Sequence, residues 1–298
     1  MSMAKRATAA PALLLPEIET KREFAFSDAD FRKLAEFAYR HTGIALSESK
    51  RDLVYNRLSR RLRALRLSAF REYYEYLESN EGGQEKEFFI NSVSTNHTRF
   101  FRESHHFAHF QKHVAIPFVR ANHGPRGGRM RIWSAGCSTG EEPYSIAMVL
   151  KNEISAIARH DIRILATDID TEVLSKAARG VFSASSLQEI PSECQKYLES
   201  RKDGASAEKL FVEESVRALI TFRQLNLIEP WPVKGPFDAI FCRNVMIYFD
   251  NDTKKELVER FTELVKPGGW LYIGHSESLL GSHPGLELVG RTIYRRTA

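Results

Sequence analysis

Apolar residues recur every three or four positions through the first third of the chain, a spacing typical of amphipathic helices. Ser27 is a candidate N-cap for the first helix, and Gly43 is the residue expected to end that helix. Three further helical stretches follow, the second of them rich in aromatic residues. The pattern predicts an all-helical N-terminal domain over residues 23–95.

From Met130 onward the pattern changes to alternating strands and helices. Short apolar runs predict strands near Met130–Ala135, Ile162–Thr167, Phe237–Cys242 and Trp270–Gly274. Amphipathic stretches predict helices at Glu142–Ile157, Glu172–Ala178 and Thr253–Val265. Alternation of this kind predicts an α/β fold, with a doubly wound, mostly parallel sheet that has helices on both faces.

Other segments depart from this alternation. Residues 1–22 predict a disordered tail, and residues 96–129 a linker with a connecting helix. Within the α/β domain, residues 130–298, the pattern is disturbed at about 181–222, which indicates a small β insertion. Its apolar runs predict two strands, Leu210–Val212 and Leu219–Phe222. The last strand, Leu286–Tyr294, follows a short loop, which favours antiparallel pairing at the end of the sheet.

Composition narrows the class of protein. Of 298 residues, 43% are hydrophobic and 27% are charged, which excludes collagen-like and wholly disordered chains. No apolar run approaches the length of a membrane-spanning helix. The Ala/Leu-rich start faintly resembles a signal peptide, but Pro11 and Pro16 interrupt it. The cysteines, Cys137, Cys194 and Cys242, form no CxxC pair, which indicates a reducing cytosol and no structural zinc.

Positive charge is concentrated in one predicted helix. The whole chain has an excess of 43 − 38 = +5, whereas residues 50–66 contain seven cations against Asp52 alone, a local +6. This indicates an acidic partner, whether protein, nucleic acid or membrane. A dense run of histidines lacks any accompanying carboxylate pattern, so a solvated helix face is predicted rather than a metal site. The run comprises His97, His105, His106, His109 and His113.

The stretch Arg131–Pro143 joins a strand to a helix through a turn with two glycines, where doubly wound sheets bind ligands. A dinucleotide site would have GxGxxG, but the spacing is GxxxG and two adjacent glutamates would repel a pyrophosphate. A serine hydrolase would use the GxSxG pattern around Ser138, with His275 or His283 as the base.

A third candidate ligand is a cationic nucleoside such as S-adenosylmethionine, which has a ribose and a positive sulfonium but no phosphate. Acidic residues at the turn favour this ligand. Asp168 ends the second predicted strand, where a carboxylate can accept both ribose hydroxyls. The alternative role of Asp168 is to cap the next helix, and the acidic turn favours ribose binding.

Four motifs, in this order along the chain, resemble those of the chemotaxis receptor methyltransferases, the CheR family. They are Asn96–Arg102, Ser138–Ser145, Thr167–Asp170 and Phe237–Phe249. The resemblance covers roughly residues 27–295, including the helical domain. It implies a Rossmann-like S-adenosylmethionine-dependent methyltransferase that esterifies glutamates of bacterial chemoreceptors for chemotactic adaptation and releases S-adenosylhomocysteine.

The resemblance also implies roles for individual residues. Arg102 and Tyr248 match the positions nearest the transferring methyl group and are the expected catalytic residues. The expected cofactor-binding residues are Asn96, Thr98, Arg102, Glu142, Asp168, Asn226, Leu227, Arg243 and Asn244. The chain departs from the family at Gly136–Cys137, where some relatives have alanines, and in the β insertion, which leaves receptor docking open.

Glutamate methylation suits these residue types. A glutamate has a pKa of about 4.3, so the acceptor is ionised at neutral pH and needs no strong base. Arg102 could hold the acceptor carboxylate, and Tyr248 could position either that carboxylate or the sulfonium methyl group. An apolar wall would avoid over-stabilising the separated charges that the reaction neutralises. The residues expected to form that wall are Phe100, Phe101 and Phe249.

The implied partner is the cytoplasmic domain of methyl-accepting chemoreceptors, docked through the Arg-rich helix, residues 50–66, and the β insertion. The expected location is the cytoplasm, with no membrane insertion, no metal and no nucleic-acid partner. A nucleic-acid methyltransferase and a degenerate S-adenosylmethionine sensor remain open as alternatives. The segment Gly274–Ser278 follows a strand and either faces the site or forms a plain loop.

Overall fold

The computed structural model describes residues 22–79, 83–122, 124, 127–202, 207–277, 279 and 283–297. The predicted disordered tail, residues 1–22, lies almost entirely outside this part of the chain. Among the described residues, no helix is both long enough and apolar enough to cross a membrane.

The N-terminal part is helical, as predicted. Its helices are α1 (Asp28–Thr42), α2 (Arg51–Leu65), α3 (Phe70–Glu78) and α4 (Gly83–Val93). Helix α1 begins with a capping box, in which the Ser27 hydroxyl accepts the Asp30 N–H and the Asp30 carboxylate accepts the Ser27 N–H. It ends at Gly43, whose φ of 72° is left-handed. The apolar faces of the four helices share one core, to which Phe37 and Tyr73 contribute.

A nearly continuous helical segment connects this part to the α/β part. It comprises α5 (Ser104–Phe110), a π-helical turn (Gln111–Ala115) and α6 (Ile116–Ala121). Phe107, Phe110 and Phe118 lie on its buried side and pack into the α/β core. The segment therefore belongs to the α/β part by its packing.

The remaining elements form the α/β part. Its strands are β1 (Arg129–Ala135), β2 (Asp161–Asp168), β3 (Val181–Ser183), β4 (Leu198–Lys202), β5 (Glu208–Val212), β6 (Ile220–Gln224), β7 (Phe237–Cys242), β8 (Val265–Ile273), β9 (Leu286–Gly290) and β10 (Ile293–Arg296). Its helices are α7 (Glu141–Glu153), α8 (Thr171–Arg179), α9 (Ser192–Gln195), α10 (Glu214–Arg217) and α11 (Asn251–Leu264).

A seven-stranded sheet has the order β6-β2-β1-β7-β8-β10-β9. The strands from β6 to β8 pair in parallel, and β10 and β9 pair antiparallel. Neighbouring residues of β1 face opposite sides: Ile132 packs in one core, and Trp133 packs against Phe261 of α11 in the other. The predicted doubly wound, mostly parallel sheet is confirmed. Strand order reverses at β1, so its carboxyl end is the switch point where such sheets bind ligands.

The β insertion differs from the prediction over residues 181–222. It is a three-stranded antiparallel sheet of order β3-β5-β4, and its last strand ends at Val212. The predicted strand Leu219–Phe222 corresponds instead to β6, which pairs in parallel with β2 and covers the edge of the main sheet. Strands β3 and β4 went unpredicted because β3 has three residues and β4, Leu198–Lys202, is mostly charged.

The predicted final strand, Leu286–Tyr294, is two strands. Strands β9 and β10 form a hairpin whose turn includes Thr292 at a φ of 54°. Strand β10 pairs antiparallel with β8, so the predicted direction is correct. The two turn residues, Arg291 and Thr292, are not typical turn formers, and the adjacent Gly290 was counted as part of one continuous strand.

Candidate active site

One pocket lies at the carboxyl ends of β1, β2 and β7 and is lined by both parts of the chain. Its empty volume, open mouth included, is about 910 Å³. The structure brings together in this pocket every residue predicted for catalysis or cofactor binding. They are Asn96, Thr98, Arg102, Glu142, Asp168, Asn226, Leu227, Arg243, Asn244 and Tyr248.

Asp168 lies at the end of β2 and is 8% exposed. Its Oδ2 accepts the Ser138 N–H at 2.8 Å, and its Oδ1 accepts the Asp170 N–H at 3.0 Å. Burial raises its pKa to about 6. The helix-cap role belongs to Asp170, whose carboxylate accepts the first N–H groups of α8. Asp168 is thereby left lining the pocket.

The turn after β1 is held against neighbouring loops. The N–H groups of Gly136 and Cys137 both donate to the Thr167 carbonyl, at 2.8 and 2.9 Å. Gly136 has a φ of +81°, and a Cβ added there would lie 2.2 Å from Cγ2 of Val245. Because Gly136 has no side chain, the turn can approach the loop that follows β7.

A buried charged network forms one side of the pocket. The Glu142 carboxylate accepts the Ser134 hydroxyl at 2.7 Å and an Arg243 N–H at 3.0 Å. The Arg243 side chain is 2% exposed, lies 3.4 Å from Glu103 and donates to the Arg102 carbonyl. Burial raises the pKa of Glu142, and the Arg243 charge opposes that shift. Glu142 and Arg243 therefore line the pocket with their charges largely neutralised by each other.

The connector supplies another side of the pocket. The Asn96 side-chain amide donates to Asp170 at 2.6 Å. The Asn96 backbone carbonyl accepts the Ser138 hydroxyl at 3.0 Å. The Arg102 guanidinium donates to the His97 carbonyl at 2.9 Å. The two Asn96 bonds attach the connector to the turns after β1 and β2, and the Arg102 bond orders it internally, so an irregular segment has a defined position.

Tyr248 lies in a 3-10 turn (Met246–Tyr248) after β7. Its carbonyl accepts the Ala45 N–H at 2.9 Å, and the Lys50 ammonium lies 4.5 Å from the centre of its ring. Burial raises the pKa of its hydroxyl, so Tyr248 is protonated at neutral pH. The helical N-terminal part thus contacts this turn directly.

Asn226 and Leu227 follow β6 and line the pocket. The Asn226 amide donates to the His41 carbonyl at 2.7 Å and to Glu229 at 3.0 Å. Its side chain therefore connects the two parts of the chain.

Of the predicted apolar wall, only Phe249 lines the pocket. Phe100 is 1% exposed and packs edge-on against Phe182, and Phe101 packs against Phe107. The prediction for Phe100 and Phe101 is wrong, because the connector turns both rings into the α/β core.

The serine hydrolase alternative fails on geometry. The Ser138 hydroxyl donates to a backbone carbonyl, that of Asn96. The His275 backbone N–H donates to the Glu103 carboxylate, and the His283 ring hydrogen bonds to the Pro284 carbonyl. Within the part of the chain that the structure describes, Ser138 has no hydrogen bond to a histidine that could act as its base.

The histidine run is not a uniformly solvated face. His106 is fully buried, 3.4 Å from Glu103 and 3.1 Å from the Thr292 hydroxyl, and burial lowers its pKa to about 3. His109 hydrogen bonds to Tyr272 at 3.0 Å. The prediction is wrong for these two residues because α5 packs against β8 and the turn between β9 and β10. No cluster that could hold a metal ion occurs among the described residues.

The arginines of the Arg-rich helix are used in two ways. Several stabilise the N-terminal part: Arg61 makes a bidentate pair with buried Glu85, Arg51 pairs with Asp28, and Arg57 donates to two carbonyls at the end of α4. Arg60 and Arg66 are exposed.

Some pocket residues were not predicted. Thr42 and Ile44 reach the pocket from the end of α1, and Ile169 and Leu225 from the ends of β2 and β6. Glu103 completes the charge network next to Arg243. No local motif distinguishes Thr42, Ile44 or Leu225 from ordinary helix-end and strand-end residues. Ile169 lies inside the motif Thr167–Asp170, and Glu103 directly follows the motif Asn96–Arg102.

Comparison with known proteins gives two family matches. Residues 29–94 match the all-alpha domain of CheR methyltransferase, and residues 96–294 match its SAM-binding domain. Chemotaxis protein methyltransferase 2 of Pseudomonas aeruginosa is 45% identical over 92% of this chain and 95% of its own length. The chemotaxis protein methyltransferase of Escherichia coli is 43% identical over 93% of this chain and 94% of its own.

The matches extend over both parts of the chain and include the residues that line the pocket. The known role of the family is the methylation of chemoreceptor glutamates in chemotactic adaptation. The S-adenosylmethionine-binding domain coincides with the part of the chain that contains the sheet and its switch point. The chain belongs to the CheR family and is an S-adenosylmethionine-dependent chemotaxis methyltransferase.

Proposed function

We propose that this protein methylates glutamates of a chemoreceptor's cytoplasmic domain, in the cytoplasm, with Arg102 and Tyr248 at the reacting centre. One observation carries the proposal. A single pocket contains the acidic residues at the ends of the strands, Glu142 and Asp168, together with Arg102 and Tyr248. Cofactor and acceptor can therefore be held in contact at one place.

The chemistry of the pocket fits S-adenosylmethionine. Each oxygen of Asp168 accepts one backbone N–H, and an ionised carboxylate has about four acceptor positions, so capacity remains for ribose hydroxyls. Glu141 and Glu142 begin α7 and make its N-terminus unsuitable for a phosphate. When bound, S-adenosylmethionine supplies a methyl group on a positive sulfur; its transfer to a carboxylate oxygen leaves a methyl ester and neutral S-adenosylhomocysteine.

Arg102 and Tyr248 have donors available for an acceptor carboxylate. The Arg102 guanidinium has five N–H groups and uses one on His97. The Tyr248 hydroxyl remains protonated, so it acts as a donor and not as a base. We propose that the two residues align the glutamate, which is itself ionised at neutral pH.

Docking of the receptor would use the exposed cations of α2. Arg60 and Arg66 are exposed, whereas Arg51, Arg57 and Arg61 contact the N-terminal part itself. The β insertion would form a second contact. The cytoplasmic location is supported by three free, buried cysteines.

The test uses the intact protein, a purified cytoplasmic receptor fragment and methyl-labelled S-adenosylmethionine. We expect label on the receptor that alkali releases, as it does from a methyl ester. Tyr248→Phe should bind S-adenosylhomocysteine normally and transfer methyl roughly tenfold to a hundredfold more slowly. Label on RNA and none on the receptor would contradict the proposal and favour a nucleic-acid methyltransferase.

A matched pair of variants tests the cofactor site separately. Asp168→Ala should abolish S-adenosylhomocysteine binding in calorimetry. Asp161→Ala, at the opposite end of β2, removes a surface ion pair with Arg131 and should bind normally. Equal binding by both variants would contradict the role proposed for Asp168. Binding without any methyl transfer by the intact protein would indicate a sensor.

A further inference from the structure

A buried carboxylate outside the pocket contacts the loop that carries its residues. Glu277, in the segment that follows β8, is 6% exposed. Its Oε2 accepts the N–H groups of Asn244 and Gly274, both at 2.6 Å, and its Oε1 accepts the Ile247 N–H at 3.1 Å. Among the described residues, no ion pair includes Glu277. Its charge is stabilised by backbone N–H groups alone.

The loop that Glu277 contacts has a demanding conformation. Asn244 has a φ of +60°, and the 3-10 turn that ends at Tyr248 begins two residues later. Asn244, Val245 and Tyr248 all line the pocket. A left-handed residue followed by a tight turn leaves backbone N–H groups without helix or sheet partners. The two oxygens of Glu277 supply acceptors for two of them.

Gly274 lies very close to both the Glu277 carboxylate and the backbone of Asn244. A Cβ added to Gly274 would lie 2.5 Å from Oε2 of Glu277 and 2.7 Å from the backbone nitrogen of Asn244. Glycine at position 274 therefore lets the end of β8 reach both the carboxylate and the loop. The Gly274–Glu277 segment has a packing role that a plain loop would lack.

We infer that Glu277 is a positioning residue for methyl transfer, which acts by holding the loop Asn244–Tyr248 in its pocket-lining conformation. Two hydrogen bonds to one rigid carboxylate define where Tyr248 lies relative to Asn244. Displacement of a reacting group by about 1 Å can slow an enzyme about a hundredfold. The inference rests on the proposed function for its catalytic consequence, and on the observed hydrogen bonds for its structural part.

Glu277→Gln is the critical variant. Glutamine has nearly the same shape but replaces one acceptor oxygen with an NH₂ group, which faces a backbone N–H. Glu287→Gln, an exposed glutamate on β9, is the matched control. Both proteins are purified as full chains and compared for S-adenosylhomocysteine binding, for kcat and KM toward the receptor fragment, and for amide hydrogen exchange over residues 243–249.

We expect Glu277→Gln to bind S-adenosylhomocysteine with normal stoichiometry and to lose roughly tenfold to a hundredfold in kcat per bound site. Its amide exchange over residues 243–249 should increase, and that of Glu287→Gln should not. A structural role alone would lower the fraction of protein that binds and leave kcat per bound site unchanged. That result would overturn the inference.

The amide hydrogen-exchange measurement shows whether a failed experiment contradicts this inference or the proposed function. If the intact protein methylates no receptor, the proposed function fails, and faster exchange in Glu277→Gln would still support the loop-holding role. If the intact protein is active and Glu277→Gln matches it in both kcat and exchange, only the inference fails.

Discussion

Individual residues determine the chemistry of the pocket through burial and pairing. Asp168, Glu142 and Glu277 are all buried carboxylates, but their partners differ. Glu142 has a cation, Arg243, whereas Asp168 and Glu277 have backbone N–H groups. Burial raises the pKa of each. The three therefore respond differently to pH and to mutation.

The pKa of Asp168, about 6, predicts pH-dependent cofactor binding. Protonation removes the charge that favours acceptance of the ribose hydroxyls. If only the ionised form binds, affinity for S-adenosylhomocysteine should fall about tenfold from pH 7 to pH 5. Calorimetry across this range measures it.

Asp168→Asn provides the control for that titration. Its binding should be weak and show a flatter pH profile, with any remaining slope due to Glu142, whose pKa is also raised. An intact protein whose affinity is equal at pH 5 and pH 7 would contradict the prediction.

Loss of Arg243 should be strongly destabilising. Arg243→Ala leaves Glu142 and Glu103 buried without their shared cation. Removal of one partner from a buried ion pair costs about 3–5 kcal/mol of unfolding free energy. Urea denaturation at neutral pH measures this cost, with exposed Arg32→Ala as the control.

The pH dependence of that loss has a defined sign. Without Arg243, the folded-state pKa of Glu142 rises further above its unfolded value, so proton uptake stabilises the folded variant. The stability deficit is therefore largest at neutral pH and shrinks as the pH falls through the folded-state pKa. A deficit that grows on acidification would contradict this account.

At the scale of elements, the ends of strands and helices do most of the positioning. Strands β1, β2 and β7 end at the pocket, and the turns after them supply the glycine, the acidic residues and the Tyr248 turn. The helix ends are capped locally: Ser27 caps α1 and Asp170 caps α8. Asp170 also accepts the Asn96 amide, so one cap orders the connector as well.

The capping box of α1 gives a prediction for stability. Ser27→Ala removes the acceptor for the Asp30 N–H and should lower the unfolding free energy by about 1 kcal/mol. Thermal and urea unfolding followed by circular dichroism measure the change. Ser175→Ala, at an exposed position inside α8, should be neutral or slightly stabilising. Equal losses in both variants would argue against a specific cap effect.

At the scale of the whole molecule, the helical and α/β parts form one functional unit. Asn226 bonds to the end of α1, Ala45 bonds to Tyr248, and Tyr39 donates to Asp250 at 2.5 Å. Thr42 and Ile44 complete the pocket wall. The helical part therefore shapes the active site in addition to offering an exposed cationic surface.

That surface gives a prediction for receptor docking. A variant with both Arg60→Ala and Arg66→Ala should raise KM for the receptor about fivefold at low salt, because each exposed charge contributes about 0.5 kcal/mol. The difference should shrink at high salt, and S-adenosylhomocysteine binding should not change. Initial rates against receptor concentration measure it. Arg159→Ala, an exposed position just before β2 at the end of that strand away from the pocket, is the control. An equal increase in KM for this variant would contradict a localised surface.

The sequence alone predicted what local periodicity and motifs encode. The 3.6-residue pattern predicted α1 to α4, the alternation predicted the parallel sheet, and the four motifs contain every predicted pocket residue except Asn226 and Leu227. These succeed because strand ends converge at one edge of a parallel sheet whatever the loops do. The resemblance to the family added Asn226 and Leu227, which lie outside the four motifs and which periodicity could not identify.

Tertiary structure decided the rest, because the deciding contacts are between residues far apart in the chain. Phe100 and Phe101 turn into the core, and β6 joins the main sheet and not the insertion. His106 is buried against β8 and the turn between β9 and β10. Each outcome depends on which surface remains uncovered after the other elements pack. Glu277 is the clearest case: it lies 33 positions after Asn244, and the pairing of β7 with β8 brings its carboxylate to that backbone N–H.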